Sequence, residues 1–186
     1  KQQARNYANS QKVRFIILSN GNIHYLWDKE WGNPTRISRF PSIDTLNERK
    51  KYAPDVNKLI KEEINGDYVV LSQNPYYHQD PRWKDESLKK DFIFDTGLRF
   101  LRPYQLDAVK TIQKEVSKNK NRFLFEMATG TGKTLVAGAI IKLYLRTKNA
   151  NRILFLVDRL ELENQANRDL NGYLNPDYSS VIFKEN

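Results

Sequence analysis

The sequence predicts an α/β fold, with a parallel sheet in its second half, on three observations. Residues 123–127 and 152–157 are short, continuous runs rich in Phe, Ile, Leu and Val, the pattern of strands buried on both faces. Between them lies an apolar segment of helix length, 133–147, so strand, helix and strand alternate. Residues 128–132 join the first strand to that helix through small residues and two glycines, Gly130 and Gly132.

The elements follow in order. Residues 2–10 read as a short helix. Residues 13–18 and 23–27 read as two strands, and Asn20-Gly21 between them suits a tight turn that needs a positive φ. An isolated hairpin is marginal in water, and the chain opens at Lys rather than Met, so further sequence upstream is expected. Residues 55–65 read as a polar helix ending at Gly66, and 68–71 as a small strand. The stretch 72–91 holds Pro75 and Pro81, which forbid a continuous helix or a central strand. Its Tyr76, Tyr77 and Trp83, beside Arg82 and Lys84, suit either base stacking or pinning a connector to its neighbour, and the second is preferred. Pro103 sits where a first helical turn tolerates it, and Ala108, Val109, Ile112 and Val116 recur at helical spacing after it. A further helix at 160–170 leads to a third strand near Val181. The expected organisation is therefore 1–45, a linker over 46–97, and 98–186.

Composition narrows the function. Hydrophobic residues make up 39% of the 186, which excludes wholesale disorder. With no Cys there is no disulfide framework and no thiol nucleophile, and His24 and His78 stand too far apart to suggest a metal site. No apolar run approaches a membrane span, and no signal peptide is evident, so a soluble cytoplasmic protein with no membrane partner is expected. The formal net charge is +9, and it is uneven: 9 basic against 4 acidic residues in 1–50, and 10 against 3 in 101–150. Such blocks suit a nucleic-acid backbone, although Lys110, Lys114, Lys118, Lys120 and Arg122 also suit an ordinary solvated helix face.

Residues 127–134, Met-Ala-Thr-Gly-Thr-Gly-Lys-Thr, have the make-up of a phosphate-binding loop between strand and helix. Ala128, Thr129, Gly130, Thr131 and Gly132 would turn backbone N–H groups towards phosphate oxygens, and the following helix adds the positive end of its dipole. Lys133 would reach the β- and γ-phosphates and Thr134 would ligate Mg²⁺, which makes these two the expected catalytic pair. Met127 stands where the usual pattern opens with Gly.

Leu101-Arg102-Pro103-Tyr104-Gln105, ahead of this loop, resembles the adenine-recognising segment of superfamily 2 helicases and translocases, with Gln105 matched to the N6/N7 edge of adenine. Residues 156–159, Leu-Val-Asp-Arg, with Leu162 and Gln165, are similar to the motif of these motors that touches the nucleic-acid backbone. Arg159 would pair with a phosphate there, while Asp158 alternatively caps the next helix. Together these phrases resemble most of all the restriction (motor and nuclease) subunit of type I restriction enzymes. Gln3 and Tyr7 match that family's Gln-x-x-x-Tyr segment, and Arg39-Phe40-Pro41 the exit from its nuclease domain.

The resemblance implies the C-terminal tail of a restriction-endonuclease-like domain over 1–45, a linker, and an incomplete RecA-like P-loop parallel sheet over 98–186. It implies ATP and Mg²⁺ as cofactors, and double-stranded DNA with the methyltransferase and specificity subunits as partners. The intact protein would be an ATP-dependent type I site-specific deoxyribonuclease that translocates DNA. The family's nuclease acids and acidic Walker B residues have no counterpart here; Glu48-Arg49-Lys50 reads as a solvated helix face. This polypeptide alone is thus expected to bind nucleotide without cleaving or moving DNA. The alternatives are another superfamily 2 helicase, a type III restriction motor, a nucleic-acid-binding module with a vestigial nucleotide site, and a metabolic P-loop kinase.

Overall fold

The computed structural model describes residues 2–30, 32–158 and 160–182. The chain is mixed α/β and divides into two compact units, residues 1–53 and 54–186.

In the first unit, α1 (Gln2–Ser10) precedes a three-stranded antiparallel sheet of β1 (Phe15–Ser19), β2 (His24–Asp28) and β3 (Thr35–Ile37). The β1–β2 hairpin pairs Ile17 with Leu26 and Ser19 with His24. Its turn is held by Asn20, whose Oδ1 accepts from the N–H groups of Asn22 and Ile23 at 3.1 and 2.8 Å, while Gly21 takes φ +92°. Ala8, Leu26 and Trp27 are buried, and the Trp27 indole N–H donates to the Gly32 carbonyl at 2.6 Å. Arg14 grips Asp28 through two parallel bonds of 2.8 and 2.9 Å, the fork geometry that favours Arg over Lys. Strand β3 carries too short an apolar pattern to be read from sequence. Helix α2 (Ile43–Lys51) is capped by Ser42 and buries no residue, so Glu48, Arg49 and Lys50 lie on a solvated face.

The second unit is mostly helical. Asp55 caps α3 (Val56–Lys61), accepting from the N–H groups of Asn57 and Lys58. The helix expected over 55–65 stops early because Gln113 Nε2 donates to the carbonyls of Leu59 and Glu62, both at 2.8 Å. Residues 68–71, expected as a strand, form a turn and the start of α4 (Val70–Gln73). Their bonds are local, Leu71 N–H to Asp67 O at 2.9 Å and Asn74 N–H to Val70 O at 2.8 Å. A short apolar run carries no periodicity that separates strand from helix, and this one is buried on all sides at Tyr68, Val69 and Val70.

A 3₁₀ turn (Tyr77–Gln79), α5 (Pro81–Lys84) and α6 (Lys89–Thr96) follow. Pro81 occupies the first turn of α5 behind an Asp80 cap. Trp83 stacks on Phe100 with ring centroids 5.3 Å apart and meets Tyr77 edge-on at 4.6 Å, and these rings cover Val70, Phe92 and Leu98. Tyr77 and Trp83 therefore pin the segment to its own unit, whereas Tyr76 is exposed.

Three longer helices complete the unit: α7 (Pro103–Val116), α8 (Lys133–Arg146) and α9 (Leu160–Leu174). Leu101, Val109, Leu135, Val136, Ala139 and Leu143 join Leu59, Ile64 and Val69 in one core. Helix α9 crosses α8 closely at Gly138, where a Cβ would meet the Tyr173 ring at 3.0 Å. No helix among the described residues is long and apolar enough to cross a membrane.

The expected parallel sheet is not formed among the described residues. Segments 123–127 and 152–157 are in no strand, and neither are Val181 and Ile182; residues 183–186 lie outside the described part. Strand structure requires backbone pairing with a neighbour, and the two apolar segments are held apart by a cleft of about 760 Å³. Leu124, Leu154 and Leu156 are 75% or more exposed, the reverse of the two-sided burial a parallel sheet supplies.

Candidate phosphate-binding site

The loop 128–132 is shaped by its glycines. Gly130 and Gly132 adopt φ +78° and +80°, the left-handed region that costs an L-residue about 1–2 kcal/mol. Thr131 closes the turn, its Oγ1 donating to the Ala128 carbonyl at 2.6 Å. Gly132 is the N-cap of α8 and supplies no side-chain acceptor, so the first-turn N–H groups of α8 are left for an anion. Lys133 is exposed, with Nζ 3.1 Å from Ala128 O and 3.4 Å from Met127 O. The amine thus lies over the loop's own carbonyls. Thr134 is half-buried one residue further on, and Ala128 and Thr129 are exposed.

Helix α7 meets the loop from one side. Gln105, 3% exposed, is committed at both ends of its amide. Oε1 accepts from the Arg102 N–H at 2.9 Å and Nε2 donates to the Thr131 carbonyl at 2.7 Å. Each atom keeps one further bonding capacity, so adenine recognition by Gln105 would have to share the amide with the loop. Sequence reasoning missed the next contact: Tyr104 Oη donates to the same Thr131 carbonyl at 2.8 Å. Tyr104 stood in the quoted Leu-Arg-Pro-Tyr-Gln phrase, but nothing in its spacing ties a phenol to a loop 27 residues later.

Lys133 and Thr134 also border the apolar cleft, whose walls include Phe123, Phe125 and Met127 together with Phe155, Leu156 and Val157. Those walls do not suit a triphosphate; the glycine loop and the α8 N-terminus do. Leu162 and Gln165, from the expected DNA-backbone motif, line this same cleft. Gln3 and Tyr7 are exposed in the first unit, four residues apart on one face of α1. Leu162 and Gln165 are on α9, and Arg159 lies outside the described residues.

Residues 99–186 match the protein family described as type III restriction enzyme, res subunit. These residues are similar to the helicase-like part of restriction enzymes. Curated relatives agree on the restriction system. The chain is 47% identical over 72 residues to the type I restriction enzyme EcoKI endonuclease subunit of Escherichia coli strain K12, covering 39% of this chain and 6% of that subunit. It is 43% identical over 79 residues to the EcoAI endonuclease subunit of Escherichia coli, 42% of this chain and 10% of that one. A type I endonuclease subunit of Staphylococcus aureus strain COL is 29% identical over 79 residues, 42% and 8% of the two chains. The matched stretch therefore spans a tenth or less of these relatives. No solved structure matches the chain.

Proposed function

We propose that this restriction-enzyme segment carries the ATP·Mg²⁺ site of the DNA-translocating and DNA-cleaving subunit of a type I restriction–modification enzyme. The observation that carries the reading is the loop: two glycines at positive φ, an α8 N-terminus without a side-chain cap, and Lys133 at its mouth. Gly130, Thr131, Gly132, Lys133 and Thr134 would donate backbone N–H groups to the phosphates, with Ala128 and Thr129 shaping the turn. Lys133 would exchange its two carbonyl acceptors for phosphate oxygens, a charge-assisted and therefore stronger contact. The Thr134 hydroxyl would hold Mg²⁺, and Gln105 would use its remaining capacity on the adenine edge. Bound ATP supplies the phosphoanhydride bond whose hydrolysis powers movement along DNA.

The wider reading follows from the type I relatives. Residues 1–45 are the tail of a nuclease-like domain in which Gln3 and Tyr7 face DNA. Residues 46–97 link it to the first part of a RecA-like domain, 98–186, where Arg159 touches the DNA backbone. Double-stranded DNA and the methyltransferase and specificity subunits are the partners, in the cytoplasm. The family description over 99–186 favours one second reading, a type III restriction motor, which would use the same loop.

Titration of the 186-residue chain with MgATP tests the site. Binding is expected, and Lys133→Ala is expected to weaken it at least tenfold, the scale of a lost hydrogen bond to a charged group. Equal affinity in the two proteins would remove Lys133 from the site.

A further inference from the structure

We propose that Tyr104 is a positioning residue for the phosphate loop, acting through one peptide group. The inference rests on reading 127–134 as a nucleotide site and adds to it a residue that touches no nucleotide. Two donors from adjacent positions of α7 converge on a single acceptor. Tyr104 Oη and Gln105 Nε2 lie 2.8 and 2.7 Å from the Thr131 carbonyl oxygen. That carbonyl belongs to the peptide joining Thr131 to Gly132, which is trans. A trans peptide is planar, and its N–H points opposite to its C=O. Drawing the oxygen towards α7 therefore turns the Gly132 N–H away from α7, as a cradle donor requires.

The two donors are not equivalent. Gln105 is buried and is also tied to the Arg102 N–H, so its removal loosens the start of α7 as well as the loop. Tyr104 is 44% exposed and belongs to no core cluster. Among the described residues its hydroxyl has one partner, the Thr131 carbonyl, and the ring is not needed to fill space. The loop has little else to set this peptide. Gly130 and Gly132 both sit at positive φ, where glycine has other conformations open to it, and a Cβ at Gly130 would meet nothing within 4 Å. Orientation of the 131–132 peptide thus depends on the pull from α7, and preorganised donors bind an anion without reordering first.

The test is Tyr104→Phe in the full chain, read in two ways. The first needs no nucleotide: the backbone amide resonance of Gly132, in the same peptide as the Thr131 carbonyl, is expected to shift on loss of the Tyr104 bond, with the resonances of the rest of α7 unchanged. The second compares MgATP with inorganic tripolyphosphate, which has no base to be read. Both are expected to bind the variant more weakly by the same factor, about three- to tenfold. Loss for ATP with none for tripolyphosphate would make Tyr104 a base-reading residue and overturn the proposal, as would an unmoved Gly132 amide resonance. If the wild-type chain binds neither ligand, the nucleotide reading fails and takes the phosphate-positioning role with it, whatever the Gly132 resonance shows of the contact itself.

Discussion

Gly132→Ala is expected to destabilise the second unit by about 2–3 kcal/mol and to abolish binding of MgATP. Two costs coincide at this position. The backbone holds φ +80°, which an alanine tolerates only at about 1–2 kcal/mol. The added Cβ would also lie 2.5 Å from Gln105 Nε2, and that amide has nowhere to go. It is buried, bonded to Thr131 O on one side and to the Arg102 N–H on the other. Moving it breaks the Nε2–Thr131 bond, which adds about 1 kcal/mol. Gly130→Ala provides the comparison, because Gly130 has a similar φ of +78° and open space around it. It is expected to cost only the conformational part, about 1–2 kcal/mol. Urea unfolding of the two variants measures the difference; equal losses would mean that Gln105 does not press on Gly132.

The second large effect concerns Lys142, on the buried face of α8. Its side chain is 1% exposed, its ammonium lies 4.8 Å over the Tyr68 ring, and Nζ donates to the Tyr68 carbonyl. Burial pulls its pKa down to about 8, with Arg146 adding to the effect and Asp177, Glu62 and Asp67 opposing it. The unfolded chain holds this proton to about pH 10.4, so between about 8 and 10.4 the unfolded state binds more protons than the native one. Stability must rise with pH across that window. From pH 7 to 9.5 the gain is expected to be about 2 kcal/mol. Above pH 10 the trend reverses, because the buried Tyr68 phenol, raised by burial and by Glu62, resists the ionisation open to it in the unfolded chain. Lys142→Met keeps most of the side-chain volume and is expected to flatten the rise between pH 7 and 9.5. Urea titrations at the two pH values, in both proteins, measure it, and an undiminished rise in the variant would place its origin in another group.

What was legible in the sequence follows from where the structural causes lie. Helices α7, α8 and α9 were legible because Pro103 and apolar spacing act within one turn of the chain, and α1 was read as a short helix-like run. The β1–β2 hairpin was legible because Asn20 and Gly21 determine it locally. The 68–71 run was not, since Tyr68, Val69 and Val70 are apolar on every side and their turn is decided by tertiary burial. Segments 123–127 and 152–157 carry strand-like sequences, yet a sheet depends on partners that sequence alone does not place, and the described residues leave the two apart. In the site, the glycine loop was visible as a motif. The joint grip of Tyr104 and Gln105 on Thr131 was not, because it crosses 26 and 27 residues of chain.

Under the proposed function, loop 128–134 holds the phosphates of ATP. The most direct measurement is a residue-resolved amide NMR titration of the chain with MgATP. The largest shifts are expected at Gly130, Gly132, Lys133 and Thr134, with a smaller response at Gln105. Saturation without movement of those amides, or shifts centred on the apolar cleft at Phe125 and Phe155, would contradict it.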